Sequence, residues 1–268
     1  MGVGGAGAVV DTPHHAATVV HIPHSSTRIP ADVRPTLAVS DSELELELLR
    51  LTDRYTDELF DLDPAIATPV VFGVSRLVVD PERFSDDALE PMAARGMGAV
   101  YMSRTDGTPL RATLTIAQRA RLLARFYEPH HAALEAAVQE ALLARGRCLI
   151  IDAHSFPSEP LPCDMSQERP RPDVCIGTDA FHTPAALASN AVAAFEARSL
   201  EVSVDRPYSG TIVPSRWHGR DARVSSVMIE INRRLYMDEA TGERAATFSP
   251  TQETVISVLL ALIDAYAR

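Results

Sequence analysis

The sequence predicts an α/β sandwich: a mixed β-sheet with helices on both faces. Three observations predict it. Short apolar runs of strand length alternate with segments of helical period along the whole 268-residue chain. One of these runs, RCLIIDAHS (147–155), is apolar on both faces, as suits a strand in the middle of a covered parallel or mixed sheet. No internal repeat is evident.

The elements follow in order. Residues 17–22 (ATVVHI) read as a buried strand that ends at Pro23. Residues 40–62 read as a helix with Ser40 or Ser42 as its cap and acids in its first turn, the second half forming a separate element after Thr52. ATPVVFGVSRLVVD (67–80) holds two apolar runs split by Gly73 and Ser75, hence one or two strands. Residues 84–113 lack periodicity and read as a long surface excursion, a length uncommon in loops without a function. The longest helical pattern is 115–146; Pro129 predicts a kink or split within it, and Gly146 its end. After the 147–155 strand comes an irregular, proline-rich stretch at 156–173, then a strand at 174–179. A helix at 183–199 has Thr183 as cap and Pro184 at its first position. A strand-like stretch at 201–210, a strand within 224–238 and a C-terminal helix at 254–267 complete the chain.

Composition excludes several classes. A hydrophobic content of 46% and a charged content of 23% are those of an ordinary globular protein. The net charge of −11 argues against nucleic acid or an anionic membrane as the main partner. Every fixed side-chain cation is an arginine, because the chain has no lysine. The longest apolar run, 254–267, is interrupted by Asp264 and too short to cross a membrane. Three cysteines without a tight pairing motif point to a reducing, cytoplasmic setting. Residues 1–16, rich in glycine and alanine, read as a flexible leader without the charged start of a secretion signal, and 17–268 as the folded domain.

In α/β sheets of this kind ligands bind beyond the carboxyl ends of the strands. Four such ends carry reactive groups: His24, Ser75 with Arg76, Asp152 with His154, and Glu230. His24 and His154 each follow an apolar strand closely, a placement that suits either two zinc ligands or two hydrogen-bonded strand-end histidines. A catalytic zinc takes a third protein ligand, and Asp53 and Asp152 are the carboxylates of the right type. His21 and His130 read as structural. Glu230, set in MIEIN, is a carboxylate on a buried strand: either a general base or the partner of Arg233 or Arg234. Arg76 and Arg83 offer forks to a carboxylate, although Arg83 has Asp80 and Glu82 as plain turn partners. There is no G-x-S-x-G elbow, no phosphate loop, no G-x-G-x-x-G after a strand and no H-E-x-x-H.

Taken in order, HIPHSSTRIP, LTDRYTDELF, VSRLVVDPERF, YEPHHAALEAAV, IIDAHSFPS, CIGTD, RPYSGTIVP and MIEINRRLYM resemble the N-formylglutamate amidohydrolase family over about residues 17–265. The resemblance implies a single-domain three-layer sandwich of the phosphorylase/hydrolase-like type, related to zinc carboxypeptidases and aspartoacylase-like enzymes. It also implies a metal-dependent hydrolase of N-formyl or N-acyl amino acids. N-formyl-L-glutamate is the type substrate, giving formate and glutamate late in histidine breakdown. His24, Asp53 and His154 match the family's metal ligands, implying one zinc per chain. Glu230 matches its general base, and Ser75, Arg76 and Arg83 match a substrate- and oxyanion-binding pattern, Y-S-R-x-x-x-D-x-N-R. Ser209 and Gly210 match a late substrate loop, and Asp152 would orient a ligand imidazole.

Three departures stand out: Leu51 and Tyr55 replace the outer Asp and His of the family's D-T-D-x-H, Glu82 replaces the asparagine, and PHSS replaces PHSG. The alternatives are a deacylase or small peptidase for another N-acyl amino acid, or a non-catalytic ligand-binding protein.

Overall fold

In a computed structural model, described over residues 17–268, the chain builds a six-stranded sheet in the order β2-β1-β3-β6-β4-β5. The strands are β1 (Thr18–Ile22), β2 (Thr68–Val71), β3 (Cys148–Phe156), β4 (Val174–Gly177), β5 (Val202–Val204) and β6 (Val224–Asn232). β2, β1, β3 and β6 run parallel; β4 pairs antiparallel to β6, and β5 parallel to β4. This is the predicted mixed sheet. β3 and β6 are buried at every position, which explains why their sequences lack alternation. The leader expected at 1–16, with His14 and His15, lies outside the described residues.

Helices cover both faces. On one, α2 (Thr56–Leu59), α5 (Ala185–Glu196) and α6 (Phe248–Ala267) pack on Val20, Ile22, Leu149, Ile151, Val227 and Ile229. On the other, α4 (Glu128–Arg145) packs Leu134 and Val138 onto Val19, Ile150 and Val224. Residues alternate across a strand, so His21, Asp152, His154 and Glu230 fall on the α4 face, where that helix leaves the strands' carboxyl ends uncovered. Among the described residues no helix is long and apolar enough to cross a membrane.

The long helical pattern is split, as Pro129 predicts. α3 (Ile116–Leu122), capped reciprocally by Thr115 and Gln118, runs through a π-helical turn at Leu123–Tyr127 into α4. Gly146, at φ +71°, closes α4 in the left-handed conformation that glycine adopts without strain. The 40–62 segment divides after Thr52 into α1 (Asp41–Leu51), with Ser40 and Glu43 forming a capping box, and α2. Of the one or two strands expected in residues 67–80 the chain forms one, β2, and then turns at Ser75. One expectation needs correction. Residues 84–113 are no surface excursion: Met92, Met97, Tyr101 and Leu110 are buried in a core with α1, anchored by scattered side chains rather than by periodicity.

Candidate active site

His24, Asp53 and His154 converge, all buried, with donor atoms within 4.8 Å of one another. His24 follows β1. Asp53 sits in the turn between α1 and α2, formed as Tyr55 adopts a left-handed φ of 68°. His154 lies on β3. Asp53 Oδ2 is 3.2 Å from His154 Nδ1 and 3.6 Å from His24 Nδ1. His24 Nδ1 is buried without a hydrogen-bond partner. Its Nε2 lies 2.8 Å from Asp80 Oδ1, which places the ring proton on Nε2 and leaves the Nδ1 lone pair facing Asp53. Donors bonded at 2.0–2.2 Å to a tetrahedral ion lie roughly 3.3–3.6 Å apart. Two imidazole nitrogens and a carboxylate oxygen at these separations can hold a metal ion.

Behind the three stands a layer of buried acids. Asp152 Oδ1 is 3.1 Å from His154 Nε2 and 2.9 Å from His21 Nδ1, and its Oδ2 accepts from the Ile212 amide. That amide comes close because Gly210, at φ +91°, lays its carbonyl against Gly177, where a Cβ would sit 2.3 Å from it. Asp80 accepts from Arg76 Nη2 at 2.7 Å and from the Tyr101 hydroxyl as well as facing His24. Asp53 Oδ1 accepts from Arg233 Nη2 at 2.9 Å.

These contacts set the charges. Burial opposes ionisation of Asp53, but His154 and His24 beside it and the charge of Arg233 outweigh it and hold the carboxyl well below the usual range. Burial likewise opposes ionisation of Asp80, and Arg76 and His24 outweigh it. Glu230 is different. Burial dominates and pushes its carboxyl up to about 8, and its Oε2 has no hydrogen-bond partner. Burial pulls His21 down, but Asp152 and Glu82 more than reverse this and raise it to about 9. Its Nε2 lies 2.8 Å from His130 Nε2, whose ring burial lowers to about 2, so His130 accepts.

The metal-type donors open into a cavity of about 220 Å³. His24, Asp53, His154, Glu230, Arg76, Arg83 and Ser209 line it; Ser75, Asp152 and Gly210 do not. Ser75 is fully buried in the turn after β2, where its Oγ accepts from the Leu77 amide. Glu230 is the register partner of His154 on the adjacent strand. Arg233 and Arg234 pair with Asp53 and Asp173 rather than with Glu230. Arg83 Nε is buried without a hydrogen-bond partner, 3.8 Å from Asp80 Oδ2, and Arg83 Nη1 is 3.7 Å from Glu90 Oε1. Pro157, Leu161, Cys163 and Asp164 of the 156–173 stretch form one wall.

Sequence reasoning missed Tyr101 and gave Asp80, Glu82 and Arg233 only as a turn partner, a departure from the family's pattern and an ion-pair partner. Asp80 had a readable signal: an aspartate closing the apolar run RLVVD between two arginines. Tyr101 had none, lying in the aperiodic 84–113 stretch.

The family model described as N-formylglutamate amidohydrolase matches residues 16–237. The crystal structure of N-formylglutamate amidohydrolase from Ralstonia eutropha JMP134 superposes with a TM-score of 0.83 at 26% identity, over 94% of each chain. A gene product of Agrobacterium tumefaciens shares the fold, with a TM-score of 0.61 at 23% identity over 92% of each chain. No curated protein sequence matches the chain. With the family model covering most of its length, the chain belongs to the N-formylglutamate amidohydrolase family and is a hydrolase of amide bonds.

Proposed function

We propose that the protein is a zinc-dependent amidohydrolase that releases the acyl group of an N-formyl or N-acyl amino acid, with N-formyl-L-glutamate, giving formate and glutamate, as the reference substrate. The observation that carries this reading is the set His24, Asp53 and His154 at the floor of a cavity, with Glu230 beside His154 and arginines on the walls. The donor set fits one zinc per chain: the His24 Nδ1 lone pair is buried and unpartnered, and the mix of two imidazoles and one carboxylate suits that ion. When bound, zinc supplies Lewis acidity and lowers the pKa of water toward ~7.

The remaining work falls to the chain. Asp80 and Asp152 accept from the Nε2–H of His24 and His154 and so turn both Nδ1 lone pairs inward. Glu230 takes a proton from the attacking water and returns it to the leaving amine; a carboxyl raised to about 8 is matched to that exchange near neutral pH. Arg76, fixed by its two bonds to Asp80, stabilises negative charge developing on the acyl oxygen. Arg83, with no hydrogen-bond partner at Nε, binds the substrate carboxylate, and Ser209 lines the same cavity. Ser75 and Gly210 act by shaping the turns beneath the site. The three cysteines are buried and free, which fits a reducing cytoplasm, and the reference reaction fits histidine breakdown.

One observation favours a different N-acyl amino acid. Glu82 lines the cavity next to Arg83 and adds negative charge where a carboxylate would bind. Metal analysis paired with formate release from N-formylglutamate, before and after chelation, separates the readings. About one zinc per chain with chelator-sensitive formate release supports the reference reaction. Zinc without formate moves the substrate to other N-acyl amino acids. Formate release unaffected by complete removal of metal ends the zinc mechanism.

A further inference from the structure

Next to the proposed zinc ligands lies a second cluster of donors, of which the mechanism above uses only Asp152, as the acceptor from His154. His21 on β1, Asp152 on β3 and Glu82 from the turn after Asp80 bring one imidazole nitrogen and two carboxylate oxygens within 4.8 Å of one another. His21 Nδ1 is 2.9 Å from Asp152 Oδ1 and 3.2 Å from Glu82 Oε1. His21 and Asp152 are fully buried, and Glu82 Oε1 is a buried oxygen without a hydrogen-bond partner. We infer that His21, Asp152 and Glu82 form a second divalent-cation site.

Four features support it. The separations lie within a few tenths of an ångström of the roughly 3.3–3.6 Å expected between donors on a tetrahedral ion. Each inner donor is already oriented from behind: Asp152 Oδ2 accepts from the Ile212 amide at 2.9 Å, and His21 Nε2 faces His130 Nε2 at 2.8 Å. Such backing fixes the ring and the tautomer of a metal-ligating histidine. Two buried carboxylate oxygens here face one ring nitrogen of His21, and a divalent cation among them would balance the charge of both carboxylates. Glu82 also lines the cavity, which supplies an entry path and room for water in a fourth position. An imidazole with two carboxylates suits zinc, cobalt, manganese or ferrous iron, and not a soft ion.

The two donor sets touch, since His154 Nε2 is 3.1 Å from Asp152 Oδ1 and 4.0 Å from Glu82 Oε1. A cation in the second site would therefore hold Asp152, and through it His154, in place.

The test uses cobalt(II) as probe, added to the chelated, dialysed full-length protein and followed by visible absorption and by bound-metal analysis. Wild type is expected to take two equivalents. Glu82→Gln, an isosteric change at a partly exposed side chain, should keep only one, and His24→Asn should lose the other. A single equivalent that His24→Asn removes and Glu82→Gln does not overturns the second site and leaves the first. A single equivalent that Glu82→Gln removes and His24→Asn does not overturns the zinc ligands proposed above and leaves the second site. A second equivalent that survives Glu82→Gln is surface binding and overturns the inference. Circular dichroism of each variant confirms that the folded chain is being measured.

Discussion

The backbone amide of Asp53 donates to the carbonyl of His24 at 3.0 Å, so two of the three proposed ligands are tied together before any side chain is considered. The Asp53 carboxylate then spends one oxygen on the two histidines and the other on Arg233. Asp53→Asn should release the metal and leave the buried Arg233 without its charge partner. Breaking a buried pair costs about 3–5 kcal/mol. Metal analysis and urea unfolding check both effects; a variant that keeps wild-type stability would show that Arg233 does not depend on Asp53.

Asp80 touches no proposed metal position, yet it meets His24, Arg76 and Tyr101 at once. Asp80→Asn should therefore weaken metal binding about 10–100-fold by loosening the His24 ring. Competition against a chelator of known affinity reads this directly, and an unchanged affinity would mean that packing alone orients His24.

The charge on Glu230 has a predictable pH signature. Its carboxyl is raised from 4.5 to about 8, so the folded state prefers the neutral form. The stability this contributes is fully present below about pH 4.5 and is lost as the pH rises through 8. Chelated protein should lose at most a few kcal/mol over that window, and Glu230→Gln should flatten the profile. The same variant should abolish turnover while retaining metal. Urea midpoints at several pH values, with parallel rate assays, test both halves.

The two cavity arginines should separate kinetically. Arg76→Met removes a charge proposed to act on the developing oxyanion and should lower kcat roughly 10²–10³-fold. Arg83→Met removes a ground-state contact and should raise KM with kcat changed little. Steady-state kinetics on the accepted substrate decides; the reverse pattern would exchange the two roles.

The parts of this site that the sequence revealed are those placed by strands. His24, His154 and Glu230 each close or sit within an apolar run, and the fold carries such positions to one edge of the sheet. Asp53 required the order of motifs as well, because a turn between helices has no periodicity. Tyr101 and Arg233 gain their meaning only from tertiary contact. Tyr101 is buried by a stretch whose apolar residues follow no period, and Arg233 reaches Asp53 across 180 residues of chain. The reversal of β4 was equally hidden: VCIGTD reads the same in either direction of pairing, and only its register against β6 shows it to be antiparallel.

The central place of β3 bears on how the protein assembles. Its neighbours β1 and β6 come from far away in sequence; His21 and Asp152, which sit side by side, are 131 residues apart. Long loops must close before such pairing is rewarded, which slows folding. His24, Asp53 and His154 meet only when that closure is complete. In a zinc finger the ion gathers a short chain around itself and starts the folding. Here the order is reversed: the topology has to be finished first, and uptake of a metal would mark the arrival of the native state.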